Sequence, residues 1–130
     1  MKKLLILPAL LIILMIGNFE TKAQKVYDFV SVDKVPAYPG GMQKFYEYLS
    51  KNIKFPEVAK KNGTKGKVGL SFVVENTGKL TAIQVVRGLT KETNAEAIRV
   101  LEESPKWNAG LVKGKPVRVK YNININFSQS

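Results

Sequence analysis

The chain has no histidine and no cysteine. The side chain that titrates nearest neutrality, the thiol nucleophile and the soft metal ligands are therefore all missing. Carboxylates remain as candidates for acid–base chemistry. Glu102 and Glu103 are adjacent in a helical pattern and so point apart, and Glu92 and Glu96 fall at a helix start, where the dipole favours negative charge. Gly40-Gly41 and the glycines from Gly63 to Gly66 lack the strand-then-helix setting of a phosphate loop and read as turns. No catalytic, cofactor-binding or metal-binding residue is expected, no cofactor is implied, and the reading is of a protein that is not an enzyme.

What remains is the chemistry of the main chain. From Pro116 to Phe127 the sequence alternates without a miss: Val117, Val119, Tyr121, Ile123, Ile125 and Phe127 share one side, and Arg118, Lys120, Asn122, Asn124 and Asn126 share the other. A period of two over this length, rich in β-branched and aromatic types, predicts a long strand with one face on a core and one in water. If its edge is unpaired, a row of amide and carbonyl groups is available to another strand. The other elements must cover its apolar face.

Met1-Lys2-Lys3 gives a basic start, and the run Leu4 to Ile16 is almost wholly apolar with Pro8 inside it. That is short of the roughly 20 residues of a bilayer-spanning helix. Thr21-Lys22-Ala23 places small residues where a signal peptidase inspects them, so residues 1–23 read as a signal peptide cleaved after Ala23, giving a periplasmic protein. The alternative is an uncleaved anchor in the inner membrane. No cysteine follows the apolar run, which excludes a lipidated N-terminus. The formal charge of +11 is carried by scattered lysines. Scattered charge on an exported chain suits solubility, or attraction to acidic envelope polymers or an acidic protein patch, and no nucleic-acid partner is expected.

Residues 24–39 form a lead-in arm in which Lys25 to Val35 is either a short strand or an extended segment, ended by Pro36-Ala37-Tyr38-Pro39-Gly40-Gly41. The domain proper spans 40–130. Met42 to Lys51 spaces Met42, Phe45 and Leu49, then Ile53, at helical intervals, with Tyr46 and Tyr48 flanking the stripe as partly buried packing residues. Phe55-Pro56 opens a second short helical piece, with Val58 and Ala59 inward and Gly63 as its stop. Val68, Leu70, Phe72 and Val74 then mark a strand, Asn76-Thr77-Gly78 a turn, and Ile83 and Val85 the returning strand. Leu80 is out of phase with that pair, which predicts a bulge near Thr81 or Ala82. Thr93-Asn94-Ala95-Glu96 reads as a capping box for a helix that buries Ala97, Ile98 and Leu101 and stops at Ser104-Pro105. Trp107 is expected to plug the core.

These elements predict an α+β fold: a three-stranded antiparallel sheet in the order 2-1-3 with two helices packed on one face, and the last strand at an edge.

Phe55-Pro56 with Ala59, then Gly66-Lys67-Val68, Phe72-Val73-Val74, Thr77-Gly78, Val85-Val86-Arg87-Gly88, Ser104-Pro105-Lys106-Trp107 and Gly114-Lys115-Pro116-Val117 together resemble the TonB C-terminal domain, and Pro39-Gly40-Gly41 resembles its Bacteroidetes-type version. The resemblance covers roughly residues 36 to 127. It implies a periplasmic domain that binds the Ton box of an outer-membrane TonB-dependent transporter, or a related envelope protein, by adding it as a strand beside Val117 to Phe127. That would serve energy-coupled transport, with Phe55 and Pro56 as a supporting motif. The chain departs from the family in lacking a Pro-rich spacer and in carrying Asn124 where the last strand usually has proline. The second change adds an amide donor and suits self-pairing, so the alternative is a structural envelope module that forms a homodimer through this strand and has no transport role.

Overall fold

The computed structural model describes residues 25–128. The predicted leader, 1–23, lies outside the described residues. In chain order the elements are β1 (Val26–Tyr27), a single 3-10 turn at Phe29–Ser31, α1 (Met42–Asn52), α2 (Glu57–Lys61), β2 (Gly66–Val74), β3 (Leu80–Arg87), α3 (Lys91–Glu102), β4 (Gly110–Val112) and β5 (Lys115–Phe127). The sheet order is β1-β5-β2-β3, with β4 also paired to β5.

The three strands read from the sequence are β2, β3 and β5, antiparallel in the order β3-β2-β5 as predicted. Two short strands lie outside that three-stranded core: β1, the strand alternative for the arm at Lys25 to Val35 realised over two residues, runs parallel to β5, and β4, not expected from the sequence, is antiparallel to it. Neither is long enough to show a period.

The middle strand explains the rest of the packing. Val68, Leu70, Phe72 and Val74 of β2 are at most 1% exposed, and on the opposite face Ser71 and Val73 are buried as well. Against the first face lie Phe45 and Leu49 of α1 and Ala97, Val100 and Leu101 of α3, with Ile125 and Phe127 of β5. Trp107 closes this core, its ring centroid 5.2 Å from Phe45, 5.5 Å from Phe72 and 5.3 Å from Tyr121. Its main chain is held too: the Trp107 amide donates to the Gly78 carbonyl at 2.8 Å. Gly78 sits at φ +89°, and a Cβ there would lie 2.0 Å from the Trp107 carbonyl oxygen, so the β2–β3 turn requires glycine.

Local chemistry accounts for the bulge. Ala82 has φ +50°, and the β2–β3 register shifts between Ser71 and Val73, which returns Ile83 and Val85 to the core side. Three expectations change. The α3 cap is Thr90, whose hydroxyl accepts from the Thr93 amide, and Thr93 completes the box in return. Glu96 instead faces α1: it accepts from the Lys54 amide at 2.6 Å and pairs with Arg99, which also donates to the Asn52 carbonyl at 2.8 Å. Val58 is half exposed, because so short a helix turns one side inward and Ala59 occupies it, while Val100 and not Ile98 takes the deepest place on α3.

Replacing Trp107 by alanine removes contacts with the rings of Tyr38, Phe45, Phe72 and Tyr121 at once, and a loss of about 3–5 kcal/mol is expected in chemical denaturation. A loss under about 1 kcal/mol would mean that the ring is peripheral to the core.

Candidate functional site

The apolar side of β5 behaves as the alternation requires: Val119, Ile125 and Phe127 are buried, Val117, Tyr121 and Ile123 are half-buried, and Lys120, Asn122, Asn124 and Asn126 are exposed. Its pairing is unequal along its length. Lys115 to Val117 pair with β4, and Arg118 and Val119 pair with Val26 and Tyr27 of β1. From Lys120 to Phe127 the partner among the described strands is β2 alone, in register from Val73↔Lys120 to Gly66↔Phe127. In an antiparallel ladder every second residue turns both its N–H and C=O away from the neighbour. Over this stretch about four residues therefore present unpaired donors and acceptors to the outside.

Of the expected edge, then, Val117, Arg118 and Val119 are already partnered within the chain, and Lys120, Tyr121, Asn122, Ile123, Asn124, Ile125, Asn126 and Phe127 have the open side. The arm does not cover the rest because it leaves the sheet after Tyr27, at the 3-10 turn.

Side chains from α1 and from Ile53, its C-cap residue, form a wall beside the open stretch. Tyr46, Leu49, Ser50 and Ile53 face Asn124, Ile125 and Asn126 across a cleft of about 590 Å³ that Lys67 also lines. Tyr46 is 58% exposed rather than packed away, which places its ring at the cleft mouth. Tyr121 anchors the near end: its ring stacks on Phe72 at 5.7 Å, and its hydroxyl lies 3.8 Å from the Met42 sulfur. Burial, then the neighbouring Tyr46, pushes the Tyr121 phenol above its ordinary value. Phe55 packs edge-on to Phe127 at 6.2 Å and Pro56 caps α2, so this pair fastens α2 to the far end of β5 and does not line the cleft.

Electrostatics fix the near end as well. Arg118 Nε donates to Glu75 Oε1 at 2.8 Å and Nη2 to Oε2 at 3.2 Å, and the Thr81 hydroxyl donates to the same carboxylate. The fork of Arg118 holds the Glu75 carboxyl below its ordinary range, against burial. At Glu96 burial alone would raise the carboxyl, but Arg99 and the Lys54 amide outweigh it and the value is lowered. Among the described residues no group of three or more acidic side chains could hold a metal, and no helix is long and apolar enough to cross a membrane.

The model of the family described as Gram-negative bacterial TonB protein C-terminal matches residues 51–128. The chain belongs to the TonB C-terminal domain family. Two solution structures of the Helicobacter pylori TonB C-terminal domain are similar in fold. A longer fragment is 24% identical with a TM-score of 0.52, covering 68% of this chain and 80% of that one. A shorter fragment is 25% identical with a TM-score of 0.53, covering 67% and 91%. Comparison with curated proteins gives no match. TonB C-terminal domains serve TonB-dependent transport, are associated with the cell envelope and interact with outer-membrane transporters; the family is not an enzymatic one. In this TonB-type domain the matched segment begins within α1 and so takes in β5 but not β1.

The sign of the pH response follows from Glu75 and Glu96. A carboxyl whose folded value is depressed adds stability above its unfolded value, near 4.5, and that stability is lost as pH falls through the folded value. Denaturant titrations below pH 5 should therefore show falling stability with a smaller slope in Glu75→Gln, the remainder being carried by Glu96. An unchanged slope in Glu75→Gln would remove Arg118 as the cause.

Proposed function

We propose that this domain binds an extended segment of an outer-membrane TonB-dependent transporter, a Ton box, or of a related envelope protein, as an added strand beside β5. The observation that carries the reading is the one-sided pairing of Lys120 to Phe127. Strand addition draws affinity from main-chain hydrogen bonds and selectivity from the flanking side chains. Here the flanks differ: the α1 side offers Tyr46 and Ile53, and the solvent side offers Lys120 and the asparagines. The favoured visitor therefore alternates apolar residues toward α1 with acidic or amide residues toward Lys120. Several parallel hydrogen bonds can be loaded together, which suits a link that transmits a pull during energy-coupled transport. In this reading residues 1–23 are a signal peptide cleaved after Ala23, or an inner-membrane anchor if retained, and residues 40–130 form the binding domain in the periplasm.

The second reading uses the same groups differently. Asn122, Asn124 and Asn126 carry no charge that would keep two edges apart, so two copies could join β5 to β5 as a homodimer with no transport role. Sedimentation at rising concentration separates the two, because a dimer through this edge leaves no seat for a peptide.

Peptides copied from the N-terminal segments of TonB-dependent transporters should shift amides confined to β5 and the α1 wall. N-methylation of alternate peptide amides gives a sharper check: methyls in one phase should weaken binding about tenfold or more per position, and in the other phase less than about threefold. Equal losses in both phases would rule out strand addition.

A further inference from the structure

The arm that touches β5 is held in two unequal halves. Its second half is built into the domain: Lys34 bridges Leu111, Ala37 bridges Asn108, the Asp33 carboxylate accepts from the Lys113 amide at 2.7 Å, Pro36 is fully buried, and Tyr38 packs against Phe45 and Trp107. Its first half has little of this. β1 is two residues long, and the 3-10 turn that follows contains no buried residue. Val26 is 39% exposed and Val30 is 92% exposed. What keeps this half in place is the short ladder to Arg118 and Val119, and the edge of Phe29 against the Tyr121 ring at 5.0 Å. Val32 is where the weakly held half joins the strongly held one.

We propose that Lys25 to Ser31 is a resident strand that competes with the captured peptide for β5, leaving by pivoting at Val32 while Asp33 to Tyr38 stays docked. The inference rests on the strand-addition reading above and adds its regulation. A visitor confined to Lys120–Phe127 fits beside the resident arm. One long enough to pair with Arg118 and Val119 must take the seat that Val26 and Tyr27 occupy. The arm also supplies Phe29 beside Tyr121, so a visitor that displaces it must offer an apolar side chain to that ring. Affinity for a long visitor is then reduced by the fraction of time the arm is seated, and removing the arm removes that reduction. Departure also frees about seven residues, which extended add roughly 20 Å to the reach between the domain and whatever precedes it.

The test uses the full chain and two synthetic peptides of alternating valine and glutamate, one of about six residues and one of about twelve. Val26 and Arg118 are paired neighbours at a spacing that a disulfide can bridge, and the chain has no other cysteine, so V26C/R118C locks the arm when oxidised and releases it when reduced. Oxidation should weaken the long peptide about tenfold or more and leave the short one within about twofold. Tyr27→Pro, which removes a main-chain donor from β1, should strengthen the long peptide. In the unmodified chain the long peptide should move the amides of Val26 to Ser31 toward values of an unstructured segment. If it binds at Lys120 to Phe127 with those amides unmoved and equal affinity for the oxidised and reduced forms, arm displacement is wrong and peptide capture stands. If neither peptide nor any transporter segment shifts β5 in any form, Tyr27→Pro included, both readings fall.

Discussion

The ladder between β2 and β5 is the constraint on which this molecule depends. It runs for nine consecutive pairs, from Gly66↔Phe127 to Val74↔Val119, and it is the most extensive strand contact among the described residues. Because β2 is buried on both faces, a slip of one residue would turn Asn124 toward α1 and α3 and push Ile125 into water. The register is therefore fixed by the core, and the core in turn is assembled only when the register is right. Helices α1 and α3 cover one face of this pair, Trp107 seals the gap beside the β2–β3 turn, and Glu96 and Arg99 tie the end of α1 to α3. None of these elements would have a surface to pack on if the two long strands came apart.

The same ladder creates the exposed edge. A strand of 13 residues that joins its neighbour on one side has another side to account for. The chain answers at the start of β5 with its own segments: β4 folds back on it, β1 lies beside Arg118 and Val119, and Arg118 is drawn to Glu75. From Lys120 onward protection changes from pairing to chemistry, with one lysine and three asparagines on the wet face and the α1 wall standing off across the cleft. An edge guarded by hydrophilic side chains rather than by a partner strand keeps its main-chain groups available. The unequal holding of the arm has the same origin, since Pro36 and Tyr38 reach the core and Val26 to Ser31 do not.

Much of this is written locally. The alternation from Val117 to Phe127, the stripe of Phe45 and Leu49, the turn at Gly78 and the phase error that becomes the bulge at Ala82 each follow from residue type and spacing over a few positions. The family match and the fold agree with the resemblance carried by Phe55-Pro56, Thr77-Gly78 and Ser104-Pro105-Lys106-Trp107. The cap of α3 lies three residues before the Thr93–Glu96 box that the sequence suggests, because Thr90 and Thr93 are both suitable hydroxyls. The Glu96 carboxylate is instead claimed by Arg99 and Lys54, a competition that involves a residue 42 positions away.

The sequence by itself determined the three long strands and the helices, and the apolar side of β2, β5 and α1. Those properties depend on neighbours within one or two turns of chain. Only the tertiary structure decided how much of β5 is open, that β1 and β4 close its first residues, and that Tyr46 faces the cleft rather than the core. The place of β1 and the cleft beside Tyr46 depend on contacts between residues far apart in the chain, such as Val26 and Arg118, while β4 pairs across a tight turn through stretches too short to read as strands. A two-residue strand has no period to read, and exists because a longer strand is there to receive it.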